Sequence, residues 1–296
     1  MRRTVMACGA AIVVLAGGCS GDDPGPDPTA PPSSEPGEPT APGSSPSTTP
    51  DPPFDPQQVD LAEQEWQFAT VYQDPVDVPL ESGEATGEFG QWEGKFELGE
   101  DEPLYVDIDD DGDQDVVASM SFSFETAPET YQWVATTWFV WLNDGEQLTQ
   151  LPYPLAGSGD CDTQVDSVAT ADGGAGVVID EAQMGWQSAC AEGAGIEVTR
   201  TVHVSYDTDD QPWLVQTDPF PSWGGACPMM VEPSDSGGEV RTAPGLEPAS
   251  PEVAPVVVTG GESWLGDEVD GWDFVTYLQE EDPNFVSYCG WTQRSN

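Results

Sequence analysis

From about residue 59 onward, β-branched and aromatic residues arrive in short runs cut by acidic or glycine-rich turns, and no stretch repeats its apolar residues with a helical period. That pattern limits the chain to strands joined by tight connections. Trp66–Tyr72, Leu104–Ile108, Val116–Phe124 and Tyr131–Leu142 read as strands, as do Val165–Ala169, Gly176–Asp180, Ile196–Tyr206 and Trp213–Gln216. Asn143-Asp144-Gly145 and Ala171-Asp172-Gly173-Gly174 supply turn chemistry between them. In Ile196–Tyr206, valines and Ile196 alternate with Glu197, Thr199, Thr201, His203 and Ser205, and Arg200 interrupts the apolar face. His203 is therefore expected on the solvent side, as a surface residue and not as a ligand or base. Tyr131–Leu142 is apolar on both faces and reads as a central strand, with Trp133, Trp138 and Trp141 in the core. The expected fold is all-β, a mainly antiparallel sandwich or barrel-like domain.

Composition shifts divide the chain. Residues 1–18 combine Arg2 and Arg3 with the apolar run Met6–Gly18, which is shorter than the roughly 20 residues a helix needs to cross a bilayer. This reads as a signal peptide. Residues 19–57 are rich in Pro, Ser, Thr and acid with almost no aliphatic side chain, so nothing offsets the entropy of ordering them. They read as a disordered, semi-extended tether. A β domain is expected over 58–232, a proline-rich linker over 233–255, and a C-terminal segment over 256–296. About forty residues rarely bury enough surface to fold alone, so that last segment is expected to pack on the β domain.

The junction Leu15-Ala16-Gly17-Gly18-Cys19 resembles the lipobox of bacterial lipoproteins, with Ala16 in the place three before the cysteine and Leu15 one further back. The resemblance implies a diacylglyceryl group on Cys19, export, and anchoring to the outer face of the bacterial cell membrane, and the chain also resembles uncharacterised exported lipoproteins of high-GC Gram-positive bacteria. With Cys8 in the signal and Cys19 lipidated, Cys161, Cys190, Cys227 and Cys289 remain. An even number outside the cell suggests disulfides with three possible pairings. Cys161 with Cys190 would flank a hairpin, and Cys227 with Cys289 would staple the C-terminal segment.

The formal charge is −49, from 55 acidic and 6 basic side chains. Nucleic acid as a partner is excluded by that balance, because phosphate recognition needs Lys and Arg. A single histidine also excludes multi-histidine zinc sites and leaves little room for a triad. One stretch of acid is patterned: Asp107-Ile108-Asp109-Asp110-Asp111-Gly112-Asp113-Gln114-Asp115 fits D-x-D-x-D-G-x-x-D. Hard oxygen ligands at this spacing suit Ca²⁺. Position twelve, a bidentate carboxylate in an EF-hand, is Ala118, and the flanks are strand-like. The loop instead resembles the FG-GAP calcium loop of integrin-type propellers. That resemblance implies Asp107, Asp109, Asp111 and Asp115 as side-chain ligands and Asp113 as a carbonyl donor. The ion is expected to be mainly structural.

These features lead to a cell-surface, lipid-anchored, calcium-stabilised binding or structural module. One alternative is a protein that binds carbohydrate or cell-wall polysaccharide through exposed tryptophan, with Trp186, Trp223, Trp264, Trp272 and Trp291 as candidates from their loop-like contexts. Another is a carboxylate-dependent glycan hydrolase, although acid is so abundant that no catalytic pair stands out. Ligand and oligomeric state are left open.

Overall fold

A computed structural model describes residues 54–128, 130–159, 163–184, 195–228, 239–246, 255–260, 264–265, 269–279 and 286–294. The fold is all-β, and its antiparallel sheets include a half-barrel. Two single turns of 3-10 helix, Pro56–Gln58 and Leu61–Glu63, are each capped by an aspartate, Asp55 and Asp60. β1 (Glu65–Thr70) then pairs with β2 (Gln73–Pro79) as a hairpin.

The largest sheet has seven strands. They are β3 (Glu84–Phe89), β4 (Trp92–Leu98), β5 (Leu104–Val106), β6 (Asp115–Ala127), β7 (Thr130–Asn143), β8 (Leu148–Gln150) and β9 (Ala156–Gly159). The order is β3-β4-β6-β7-β8, with β5 on β6 and β9 on β7. A second sheet is a five-stranded meander of β10 (Thr163–Thr170), β11 (Val177–Gln183), β12 (Ile196–Tyr206), β13 (Pro212–Asp218) and β14 (Ser222–Trp223). A third contains β15 (Pro255–Gly260), β16 (Trp272–Gln279) and β17 (Ser287–Gln293).

β6 and β7 are buried on both faces where they pair, and this explains why Val116–Val117 and Phe139–Trp141 carry no polar alternation. One face meets the β1–β2 hairpin: Trp66 and Phe68 pack with Phe96, Phe122, Phe139 and Trp141. Phe68 is fully buried and makes edge contacts with Phe89 and Phe96 at 4.9 and 5.3 Å between ring centroids. The other face carries Val117 and Val140 against Val177, Ile179, Val202 and Val204 of the meander. Phe274 and Trp291 of the third sheet share that core, and Cys227 is bonded to Cys289 of β17 across 62 residues.

Several tryptophans fall elsewhere than the sequence suggests. Trp223 and Trp291 are 2 % and 0 % exposed; with Trp213 they form an edge-to-face cluster, centroids 5.6 to 6.3 Å apart. Their turn-like surroundings hid them because the core they fill is assembled from three distant segments. Trp264 is half-buried and donates its indole N–H to the Thr70 carbonyl at 2.8 Å. Trp272 is half-buried under the Arg241 guanidinium. Trp133, expected in the core, is 41 % exposed, because β7 extends past the elements that cover its other half. Trp141 is buried and Trp138 packs against the core.

Candidate metal centre

The acidic loop joins β5 to β6 at the seam between the two larger sheets. The Asp107 carbonyl accepts from Gly176 N at 3.1 Å, and the Ile108 carbonyl accepts from Val204 N at 2.9 Å. Strand pairing on one side and these two bonds on the other fix both ends of the loop. The turn between them needs left-handed backbone at Asp110 and Gly112, φ 61° and 98°; glycine adopts that region freely, and aspartate more readily than most residues.

Within the loop, carboxylates hold the backbone. Asp107 Oδ1 and Oδ2 accept from Asp111 N and Gly112 N, each at 3.1 Å. Asp111 Oδ1 accepts from Asp113 N at 2.8 Å. Asp115, at the start of β6, is fully buried; its oxygens accept from Ile108 N and Asn143 N, both at 2.9 Å.

Ligand oxygens of Asp107, Asp109 and Asp115 all lie within 4.8 Å of one another. The carboxylates of Asp111 and Asp113 are exposed and do not belong to that group. No ion pair reaches Asp107, Asp109 or Asp115 from any described Lys or Arg. Burial pushes Asp115 up to about 7, against the two backbone bonds that favour its ionised form, and the charges of Asp109 and Asp111 add to the rise. Burial likewise raises Asp109, opposed by a hydrogen bond from Tyr206. Three hard oxygen donors converge here without a cation from the protein. That donor set fits Ca²⁺ or a similar hard cation and is unsuited to a soft metal.

Tyr206 and Asn143 escaped the sequence reading. Tyr206 ends β12 and Asn143 ends β7, and only the sheet register brings either beside the loop. Asn143 Nδ2 also donates to the Gln114 carbonyl at 3.2 Å. Another acid-rich stretch, Asp207-Thr208-Asp209-Asp210, is a capped turn: Asp207 accepts from Asp209 N, Gln211 N and the Trp213 indole.

Cys19, Cys161, Cys190, Trp186 and residues 19–53 of the tether fall outside the described residues; the last four tether positions instead begin the fold, with Asp55 capping the Pro56–Gln58 turn and Pro56 buried. His203 is on the face opposite the core, as the alternation requires, but it is half-buried, and burial lowers its pKa below the ordinary value.

A second feature is an open groove of about 1070 Å³ on the uncovered part of β6 and β7. Ser119, Ser121, Thr136 and Trp138 line it, with Trp133 beside them and acidic Glu97, Glu100 and Asp166 along its sides. The Trp133 indole N–H donates to Thr136 Oγ1 at 3.0 Å, which holds the ring in one orientation.

No family model matches the chain, and neither a curated protein nor a solved structure is similar to it.

Proposed function

We propose that this protein is an exported, lipid-anchored, calcium-stabilised β-module, held off the membrane by residues 19–57 and attached through Cys19. The convergence of Asp107, Asp109 and Asp115 around a buried, cation-free carboxylate carries the calcium part of this reading. Asp107, Asp109 and Asp115 would hold the ion, with Asp111 and the Asp113 carbonyl completing its oxygen shell as the loop resemblance implies. Calcium supplies the positive charge that these like charges lack. Its role is structural: the loop stitches β5 and β6 to the meander through the Asp107 and Ile108 carbonyls.

Melting with and without millimolar Ca²⁺ tests the ion. A raised Tm that disappears in the Asp109→Ala, Asp111→Ala double variant is expected; identical curves for the wild type in both conditions would sink the reading. Labelling with a palmitate analogue, lost in Cys19→Ala, tests the anchor.

The groove favours a second reading, contact with glycan. An exposed indole with its N–H already satisfied offers its apolar face to a sugar ring, and the hydroxyls around it are suited to sugar hydroxyls. A glycan array probed with wild type and Trp133→Ala separates this reading from a purely structural one.

A further inference from the structure

A cavity of about 530 Å³ lies between the inner face of the meander, β7, β9 and the tips of the β1–β2 and β3–β4 hairpins. That size falls in the range of small-molecule sites. It is separate from the acidic loop, none of whose residues line it. Its walls are apolar in the main, with Phe89 and Val134 inside and Tyr72 and Trp92 at the hairpin tips. Tyr72 and Trp92 are 43 % and 47 % exposed, two of the few large apolar side chains left open to solvent in the described residues.

The floor is polar. Arg200 sits on the core face of β12, 4 % exposed, and its Nε donates to Glu181 Oε1 at 3.1 Å. Its other nitrogens donate to the carbonyls of Gly224 and Leu155 at 2.5 and 2.9 Å. Glu181 Oε1 also accepts from Gln183 Nε2 at 2.7 Å. Glu181 is 4 % exposed, yet no described residue donates to its second oxygen, Oε2, and the cavity it lines is the space left to that atom. Gln216, 3 % exposed on the same floor, donates its amide to the Phe220 carbonyl, and its Oε1 likewise receives no bond from a described residue. Neither oxygen is sealed off from the cavity, so the floor offers it two open acceptors that a ligand donor could meet.

We infer that this cavity binds an uncharged, ring-bearing small molecule through a hydroxyl that donates to Glu181 Oε2. The Arg200–Glu181 pair already balances its own charge, so a charged head group would be desolvated with no countercharge to meet it. The hydroxyl supplies the missing donor, and the ring body lies along Phe89 and Val134 toward the aromatic rim.

2-Naphthol is a suitable probe, with 2-methoxynaphthalene as a control of similar shape that accepts but cannot donate. Isothermal titration should show one 2-naphthol bound per wild-type chain and the methoxy compound at least about tenfold weaker. Gly157 lines the cavity, and a Cβ there would meet its nearest atoms at 3.9 Å, so Gly157→Leu fills the space without a backbone clash. It should weaken 2-naphthol by about tenfold or more while the melting curve stays cooperative. Glu181→Gln exchanges the free acceptor for an amide donor and should invert the preference toward the methoxy compound. No binding to the wild type, equal binding of the two probes, or undiminished binding to Gly157→Leu would each overturn the assignment; the Gly157→Leu arm decides even if Glu181→Gln does not fold.

Discussion

The phenolic hydroxyl of Tyr206 donates to Asp109 Oδ2 at 2.5 Å across 97 residues of sequence. It ties the end of β12 to the acidic loop and satisfies a carboxylate that has no cationic partner. Tyr206→Phe removes that donor and leaves the ring. Because Tyr206 is 44 % exposed, the loss should be modest, about 1 kcal/mol or less without calcium. Calcium bound as proposed would compensate part of the Asp109 charge, so the Tm difference between wild type and Tyr206→Phe should narrow when Ca²⁺ is added. A difference that widens would contradict the placement of Asp109 among the ion's ligands.

The buried Asp115 makes stability depend on pH. Its carboxyl titrates at about 7 in the folded protein and near the ordinary value of about 3.9 in the unfolded chain. Between those values the native state keeps a proton that the unfolded state has released, so this group's contribution to stability falls as pH rises from about 4 to about 7. Asp109, also raised by burial, acts in the same direction. Calcium bound as proposed would take the ionised form, so its affinity should climb through the same window. Melts in a chelator at pH 5 and pH 8 check the first point, with Asp115→Asn reducing the difference. Calcium titrations at the same two pH values check the second.

Where one face of a strand is apolar and the other polar, the chain could be read directly. Ile196–Tyr206 has the bounds its alternation implies, and the two-sided burial of β7 at Phe139–Trp141 follows from its unbroken apolar run. β3 and β4 were not legible. Their outward faces are filled by Glu84, Glu88, Glu93 and Glu97, and Gly87 and Gly94 break the inward pattern, so each resembles a solvated acidic turn. At the site, spacing and glycine position pointed to the Asp107–Asp115 loop. The burial of Asp115 and the arrival of Tyr206 could not be inferred, because both depend on which strand lies beside the loop. The cavity was invisible for the same reason: Arg200 looked like an interruption until β11 placed Glu181 beside it.

The Cys227–Cys289 bond joins the meander's exit to β17, with Cα atoms 5.7 Å apart and 62 residues between. Closing a loop of that length removes chain entropy worth about 4 kcal/mol from the unfolded state in the loop-entropy model. A Cys227→Ser, Cys289→Ser variant should therefore melt well below the wild type. Since both cysteines line the cavity, limited proteolysis of the variant should cut first near β17, leaving the β1–β9 part intact longer. A melting curve unchanged by the double substitution would show that the third sheet is held by its apolar contacts alone.

The Arg200–Glu181 pair offers the largest single effect. Both side chains are about 95 % buried, so water screens the pair only weakly. Glu181→Ala leaves the Arg200 guanidinium bonded to two carbonyls but with no countercharge, and breaking a pair of this kind costs about 3–5 kcal/mol. Arg200→Met should cost a similar amount, because it strands Glu181 and frees the Leu155 and Gly224 carbonyls. Removing both charges together is different in kind: Arg200→Met with Glu181→Leu leaves no buried ion, and the new apolar side chains offset part of the lost hydrogen bonding. The double variant should recover much of the stability lost in either single one, giving a coupling energy above about 2 kcal/mol in a double-mutant cycle read by urea unfolding. Additive losses would mean that the two charges act independently, each held by its backbone and amide partners and not by the other.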